Sequence, residues 1–210
     1  MLKEILNSPF KKHQSSGRFS ISSVGGCWRK KYLELKGLYK EEYGPEQIRT
    51  FAIGDLFHQM CMKELFEKCE NNGYAIVASE VNIPTIDEAK NLSGRTDLII
   101  SEMKTGELTV CDFKSCSDWT FNKVLNGAVP QNYIDQVNLY LHLFKIKKGI
   151  LLFMSKHKGK IAEVEVKYDE ARAKQLIKEI DDFFNNYVNK NIEPPKCTGR
   201  DFGCECCGYK

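Results

Sequence analysis

Two short β-rich runs carrying Asp97, Asp112 and Lys114 constrain this chain more than any other segment. The first reads Gly94-Arg95-Thr96-Asp97-Leu98-Ile99-Ile100-Ser101 and the second Glu107-Leu108-Thr109-Val110-Cys111-Asp112-Phe113-Lys114, with Glu102 to Gly106 between them. A polar, glycine-containing connection between two such runs predicts a hairpin. With the turn centred between Lys104 and Thr105, Asp97 and Asp112 fall opposite each other. Side chains alternate along a strand, so Asp112 and Lys114 share a face. Two carboxylates and an ammonium then converge on one patch. Carboxylates that close repel unless a cation lies between them, and hard divalent ions such as Mg²⁺ take oxygen ligands. A solvated face of an antiparallel pair carries the same residue types, so this segment alone leaves both readings open.

At 210 residues the chain has the length of one domain, or of one domain with a small appendage, and can bury a core without disulfide staples. A net charge of +3 permits nucleic-acid binding in a local groove without demanding it. No run approaches the roughly 18 apolar residues of a membrane span. Met1 to Ser8 lacks the basic start, apolar core and small-residue cleavage site of a signal peptide. The expectation is a cytoplasmic protein. In that reducing compartment the nine cysteines do not imply disulfides. Cys197, Cys204, Cys206 and Cys207 crowd into the C-terminal segment, a clustering that reads as metal or cluster ligation. Cys61, Cys69, Cys111 and Cys116 lie in helix- or strand-like surroundings and read as small apolar fillers.

There are no internal repeats and no low-complexity linker. Residues 1–20 form a polar, basic arm, residues 21–195 a core with a helical N-terminal part, and residues 196–210 a cysteine-rich segment. Helical spacing marks Cys27 to about Tyr39 and Pro45 to about Cys69, the latter with Ile53, Leu56, Phe57, Met60 and Leu65 on its inward side. Tyr74 to Ile83 reads as a strand, followed by the hairpin and then by a loop over 116–128. Pro130 opens a helix with Tyr133, Val137, Leu141 and Phe144 in one stripe. Gly149 to Ser155 is an apolar run suited to a strand buried on both faces, and Ile161 to Lys167 is an alternating strand. A helix from about Asp169 to Asn189 turns Leu176, Ile177, Ile180, Phe183, Phe184 and Tyr187 inward. The order predicts an α/β fold, a central mixed β-sheet flanked by helices.

Gln136 and Tyr140 stand four apart on the Pro130 helix and so share a face, where an amide and a phenol can contact phosphate or a base edge. His58 lies near the apolar side of its helix. A histidine there is more often a core residue bonded to backbone than a metal ligand, and only a metal site at the hairpin changes its standing. Glu80, on the strand before the hairpin, is a further carboxylate placed to join the site, although Glu on an outer strand face is usually just solvated.

In order, Cys27-Trp28-Arg29-Lys30-Lys31-Tyr32, Gly54 with His58, Gly94-x-x-Asp97, Asp112-x-Lys114 and Gln136-x-x-x-Tyr140 resemble the RecB-like branch of the PD-(D/E)xK nuclease superfamily. With the late cysteines, the chain looks most like the CRISPR-associated and DNA-processing exonucleases that carry an iron–sulfur cluster. The resemblance covers about residues 20–210. It implies a restriction-endonuclease-like core in which His58, Asp97, Asp112 and the Phe113 carbonyl hold Mg²⁺ or Mn²⁺. Asp97, Asp112 and Lys114 are its catalytic set, and Gln136 and Tyr140 its nucleic-acid contacts. It also implies a 4Fe–4S cluster on one early and three late cysteines. The family's late spacing is Cys-x2-Cys-x5-Cys, whereas this chain has Cys197-x6-Cys204-x-Cys206-Cys207. Cys27, Cys197, Cys204 and Cys207 are the favoured ligands, because Cys204-x2-Cys207 has ordinary metal spacing, with Cys206 as the alternative to Cys207. Four thiolates suit Zn²⁺ equally.

The expected function is a metal-dependent DNA nuclease, an exonuclease on single strands or ends. The alternatives are a non-catalytic nucleic-acid-binding module stapled by a four-cysteine Zn or Fe–S centre, and a zinc-stapled interaction domain. A degenerate binder would be expected to lose one of Asp97, Asp112 and Lys114, and this chain has all three.

Overall fold

The computed structural model of this chain describes residues 17–39, 43–197 and 207. At its centre is a five-stranded sheet of β2 (Tyr74–Asn82), β4 (Arg95–Glu102), β5 (Leu108–Cys116), β6 (Lys148–Ser155) and β7 (Ile161–Lys167), in the order β2-β4-β5-β6-β7. A separate two-residue parallel pair joins β1 (Phe19–Ser20) to β3 (Leu92–Ser93). Tight turns join β4 to β5 and β6 to β7, and such turns allow only antiparallel pairing. Strands β5 and β6 run parallel, and the crossover this requires is a pair of helices, α3 (Asp118–Leu125) and α4 (Gln131–Phe144). The remaining helices are α1 (Trp28–Leu35), α2 (Pro45–Lys68) and α5 (Glu170–Phe183), the last running into a π-helical turn over Phe184–Val188. The architecture is the mixed sheet flanked by helices that the sequence predicts.

Alternation along β5 divides the core in two. Val110 faces a cluster with Leu151, Phe153 and Val166 of the neighbouring strands, Val137 and Leu141 of α4, and Leu176, Ile177 and Ile180 of α5. Cys111 and Phe113 face the other way, onto Leu98 of β4 and Phe57 and Cys61 of α2. Each fully buried Leu, Ile or Phe contributes about 1.5–3 kcal/mol, so these two layers clamp β5 from both sides. Helix α4 is buried continuously from Asp135 to Leu143. Its polar residues are paired: Asp135 accepts two hydrogen bonds from Arg172, Asn138 holds the Asp169 backbone, and His142 bonds Tyr168 and Glu88. A Cβ at Gly149 would stand 2.5 Å from Val137 Cγ1, so glycine on β6 is what lets α4 lie this close to the sheet.

Two expectations need correction. The loop expected over 116–128 contains α3. Ser117 caps it by accepting the Thr120 N–H at 3.3 Å, and Phe121 and Val124, three apart, bury its inner face. On α2 the inward stripe is Phe57, Cys61 and half-buried Leu65, while Ile53, Leu56 and Met60 are exposed. That helix carries apolar residues on two faces, and a single sheet layer can cover only one.

Of the three segments read from composition, residues 1–16 of the basic arm lie outside the described residues, as do 198–206 and 208–210 of the cysteine-rich end. Among the described residues no helix is long and apolar enough to cross a membrane.

Candidate active site

The hairpin register follows the turn centre expected from the sequence. Ser101, Ile100, Ile99 and Leu98 pair with Leu108, Thr109, Val110 and Cys111, and one more step along that register sets Asp97 opposite Asp112. There the backbone ladder stops. Instead of continuing it, Asp97 uses its side chain: Oδ2 accepts the Phe113 N–H at 2.7 Å. Thr96, fully buried, donates its hydroxyl to the Cys111 carbonyl at 3.3 Å. Where the ladder opens, side chains from α2 on one face of the sheet and α4 on the other reach the same point.

They meet in a cleft of about 360 Å³ whose lining includes Ser22, His58, Asp97, Asp112, Lys114 and Gln136. From α2, His58 Nδ1 stands 3.4 Å from Asp97 Oδ1. Gly54 lies one turn before His58, and a Cβ there would be 3.3 Å from Ser115 Oγ of β5, so glycine permits the close approach that delivers the imidazole. The His58 ring also stands edge-to-face on Phe113. From β5, Lys114 Nζ lies 2.5 Å from Asp112 Oδ2 and above the Tyr133 ring, 5.1 Å from its centroid. From α4, Gln136 joins the two: its Oε1 accepts from Lys114 Nζ at 3.1 Å and its Nε2 donates to Asp112 Oδ1 at 3.1 Å.

Asp112 is only 2% exposed: its Oδ1 accepts from Gln136 and its Oδ2 faces the Lys114 ammonium at 2.5 Å. Burial pushes this carboxyl up to about 6; Lys114 pulls it down and the Asp97 charge adds to the rise. Asp97 also raises His58, but there by favouring the charged form. Their contact, partly countered by burial, raises the imidazole above its ordinary value, and the Asp112 charge adds to it. Two carboxylates and an imidazole thus line one pocket, with the Lys114 ammonium against the more buried carboxylate. The chemistry of that donor set fits a hard divalent cation, with the imidazole completing an oxygen-rich shell.

Tyr140 and Gln136 line the cleft, but neither is free. The Tyr140 ring is enclosed at 2% exposure, its hydroxyl donates to the Arg95 carbonyl at 3.0 Å, and burial raises the phenol to about 12. An enclosed ring offers no face for a base, so what the geometry gives Tyr140 is a hold on the backbone two residues before Asp97. Gly94 belongs to that arrangement, since a Cβ there would meet Tyr140 Cε1 at 3.1 Å and Ile21 Cδ1 at 3.0 Å. Both ends of the Gln136 amide are engaged inside the cleft. The stacking of Lys114 over Tyr133 carried no sequence signal, because Tyr133 read only as part of the apolar stripe. Glu80 stands across from Asp97 in the β2–β4 register but adopts a left-handed φ of 50° and pairs with Arg95 at 3.1 Å, both side chains largely exposed.

The cysteines form a second centre. The Sγ atoms of Cys27, Cys197 and Cys207 all lie within 4.8 Å of one another, an arrangement that could hold a metal ion. Cys27 caps α1, its sulfur accepting the Lys30 N–H at 3.4 Å, and Cys207 Sγ accepts the Cys197 N–H at 3.3 Å. Backbone N–H groups aimed at sulfur stabilise thiolate charge. The adjoining residues bring the ends of the chain together: Trp28 packs between Phe19 and Phe183, and Arg29 pairs with Glu193. Cys204 and Cys206 lie outside the described residues. Cys61, Cys69 and Cys111 are core fillers, and burial raises the Cys61 thiol to about 11 and that of Cys111 to about 12.

No family model matches the chain, and no curated protein sequence does. Solved structures do. LHK-Exo, an alkaline exonuclease from Laribacter hongkongensis, superposes with a TM-score of 0.61 over 84% of this chain and 90% of its own, at 15% identity. The same enzyme in complex with dAMP gives 0.60 over 84% and 90%, at 14% identity. A protein designated SSO0001 gives 0.55 over 89% of this chain and 82% of its own, at 20% identity. At these identities the likeness is one of fold: the chain has the mixed-sheet α/β architecture that an alkaline exonuclease also uses.

Proposed function

We propose that this chain is a metal-dependent DNA nuclease, an exonuclease acting on single strands or DNA ends. The observation that carries the reading is the convergence of His58, Asp97, Asp112 and Lys114 from three elements on one cleft, with the Asp112 carboxylate almost wholly buried against the Lys114 ammonium. The exonuclease fold of LHK-Exo supports it. His58, Asp97, Asp112 and the Phe113 carbonyl would hold Mg²⁺ or Mn²⁺. When bound, such an ion lowers the pKa of a coordinated water and offsets charge on the scissile phosphate.

The chain's own residues do the rest. Lys114 supplies a second positive charge where the phosphate gains negative charge, an electrostatic contribution that needs no reorganisation because Gln136 already fixes the ammonium. Gln136 also holds Asp112 by Oδ1, the oxygen that Lys114 does not contact. Tyr140 and Gly94 set the backbone that presents Asp97. Hydrolysis adds the water oxygen to phosphorus and releases the sugar oxygen, with no covalent link to the protein.

The products test the reading. End-labelled single-stranded and duplex DNA, incubated with Mg²⁺ or Mn²⁺, should release mononucleotides or short ends progressively. Internal fragments appearing first would overturn the exonuclease assignment.

Protons compete with the metal for Asp112 and His58. Burial pushes Asp112 up to about 6 and the contact with Asp97 raises His58, so both groups lose metal affinity as pH falls. Cleavage at limiting metal should therefore drop as pH is lowered toward and through about 6, and excess Mn²⁺ should move that limb to lower pH. A limb indifferent to metal concentration would disconnect these two residues from metal binding.

For the cysteine centre we propose a 4Fe–4S cluster on Cys27, Cys197, Cys204 and Cys207, as in the CRISPR-associated branch, with Zn²⁺ as the alternative occupant. Three sulfurs gathered with N–H donors support a thiolate-bound group there. Its role is to hold the α1 segment and the chain's end together beside the nuclease core.

A further inference from the structure

We propose that Trp119 and Lys123 on α3, with the turn between β6 and β7, form a platform for a single nucleic-acid strand beside the cleft. The inference rests on the nuclease reading and extends it to where the substrate lies outside the metal site.

Trp119 is 62% exposed, more than any other aromatic side chain among the described residues. Core packing does not explain it, because Phe121 and Val124 seat α3 on the sheet and Trp119 faces away from them. Lys123, one turn on, places its Nζ 3.6 Å from the centre of the indole. The β6–β7 turn alongside carries Lys156, His157, Lys158 and Lys160 in five residues. It is fastened to the start of α3: the Lys156 N–H donates to the Cys116 carbonyl at 2.9 Å, and Ser155 donates its hydroxyl to Asp118. Asp118 is the one acid on α3, and Lys158 stands 3.6 Å from it. The surface therefore joins an open indole to a cluster of basic residues with a single, already engaged, carboxylate.

That combination matches what a single strand requires. Bases stack on an exposed aromatic ring whatever their sequence, and neighbouring cations follow the phosphates. Lys123 covers one part of the ring and can exchange the indole for a phosphate when a base arrives. The location is right as well. Trp119 is five positions after Lys114, a backbone span of at most about 18 Å, or roughly five nucleotides at 3.4 Å each. A strand with one phosphate at Lys114 would reach Trp119 within that length. An acidic protein partner would use the lysines but would have no need of bases, which gives the test its second arm.

The full chain carrying Lys114→Ala, to prevent degradation, is titrated with labelled oligothymidylate and followed by anisotropy and by intrinsic fluorescence. Trp28 is held between Phe19 and Phe183, so quenching on saturation reports Trp119. Binding is expected to quench the parent and not the Trp119→Phe variant. Trp119→Ala should weaken binding about 5- to 100-fold, and Trp119→Phe, which also guards against misfolding, should recover most of it. On an oligomer of abasic sites, parent and Trp119→Ala should bind alike. Lys158→Gln with Lys160→Gln should weaken both ligands and flatten the salt dependence. Unchanged affinity for oligothymidylate in Trp119→Ala, or unquenched parent at saturation, overturns the platform. If the unsubstituted chain still cleaves DNA in that event, the nuclease reading stands without it; neither binding nor cleavage would remove both.

Discussion

Lys114→Ala should lower the rate of DNA cleavage by a factor of about 10² to 10³ while leaving the protein folded, the size of loss expected when one preorganised charge is removed from a phosphate-transfer site. Lys114 lies near the end of β5 and is half-buried, so little core packing goes with it. Its ammonium is fixed by Asp112, Gln136 and Tyr133, which makes the effect fall on turnover rather than on substrate affinity. A second consequence separates this role from mere charge loss. Lys114 pulls the Asp112 carboxyl down, so without it that carboxyl climbs above about 6. The acid limb of the residual activity should then move to higher pH, because Asp112 needs a more alkaline solution to ionise. Steady-state kinetics across pH would read both effects, and full turnover in Lys114→Ala would remove the residue from the mechanism.

The largest effect on stability is expected from Cys27→Ser. Cys27 and Cys207 are 180 residues apart, and their sulfurs lie at 3.7 Å. Closing a loop of that length costs the unfolded chain about 4–5 kcal/mol of entropy by the (3/2)RT ln n relation, and a bound metal or cluster adds its own binding free energy to folding. Protein purified without oxygen should be brown and contain iron and sulfide, or be colourless and contain zinc. Cys27→Ser should lose that metal and melt at a clearly lower temperature, whereas Cys116→Ser, half-buried on the far end of β5, should keep the metal. Melting curves paired with metal analysis decide it. A chain containing neither iron nor zinc, as stable after Cys27→Ser as before, would take the cluster out and leave the cleft standing alone.

Much of the cleft's scaffold was legible in local pattern. The turn centre between Lys104 and Thr105 was enough to set Asp97 against Asp112, because register in a hairpin follows from its turn. The inward stripe of α5 was equally plain, since Leu176, Ile177, Ile180 and Phe183 recur at helical spacing and all are buried. What local pattern missed depended on neighbours distant in sequence. Helix α3 hid behind its polar residues, and its inner face became visible only when β6 and β7 lay beneath it. On α2 two apolar faces competed, and the position of the sheet chose Phe57 and Cys61 over Leu56 and Met60. Gln136 and Tyr140, four apart on one helix face, both line the cleft. Nothing in that spacing reveals that the amide bridges Lys114 and Asp112, or that the phenol is enclosed on the Arg95 carbonyl.

Cleavage of end-labelled DNA by the metal-stripped protein, measured as Mn²⁺ is returned, tests the cleft most directly when Asp112→Asn is run alongside. Asparagine keeps the shape of the side chain and removes the charge that a divalent ion needs, while the buried position tolerates a neutral amide. The unsubstituted chain should be inactive in chelator, should regain cleavage on addition of Mn²⁺, and should exceed Asp112→Asn by at least about a hundredfold. Undiminished cleavage in excess chelator, or equal metal-restored cleavage by Asp112→Asn, would contradict a metal-dependent nuclease site at His58, Asp97, Asp112 and Lys114.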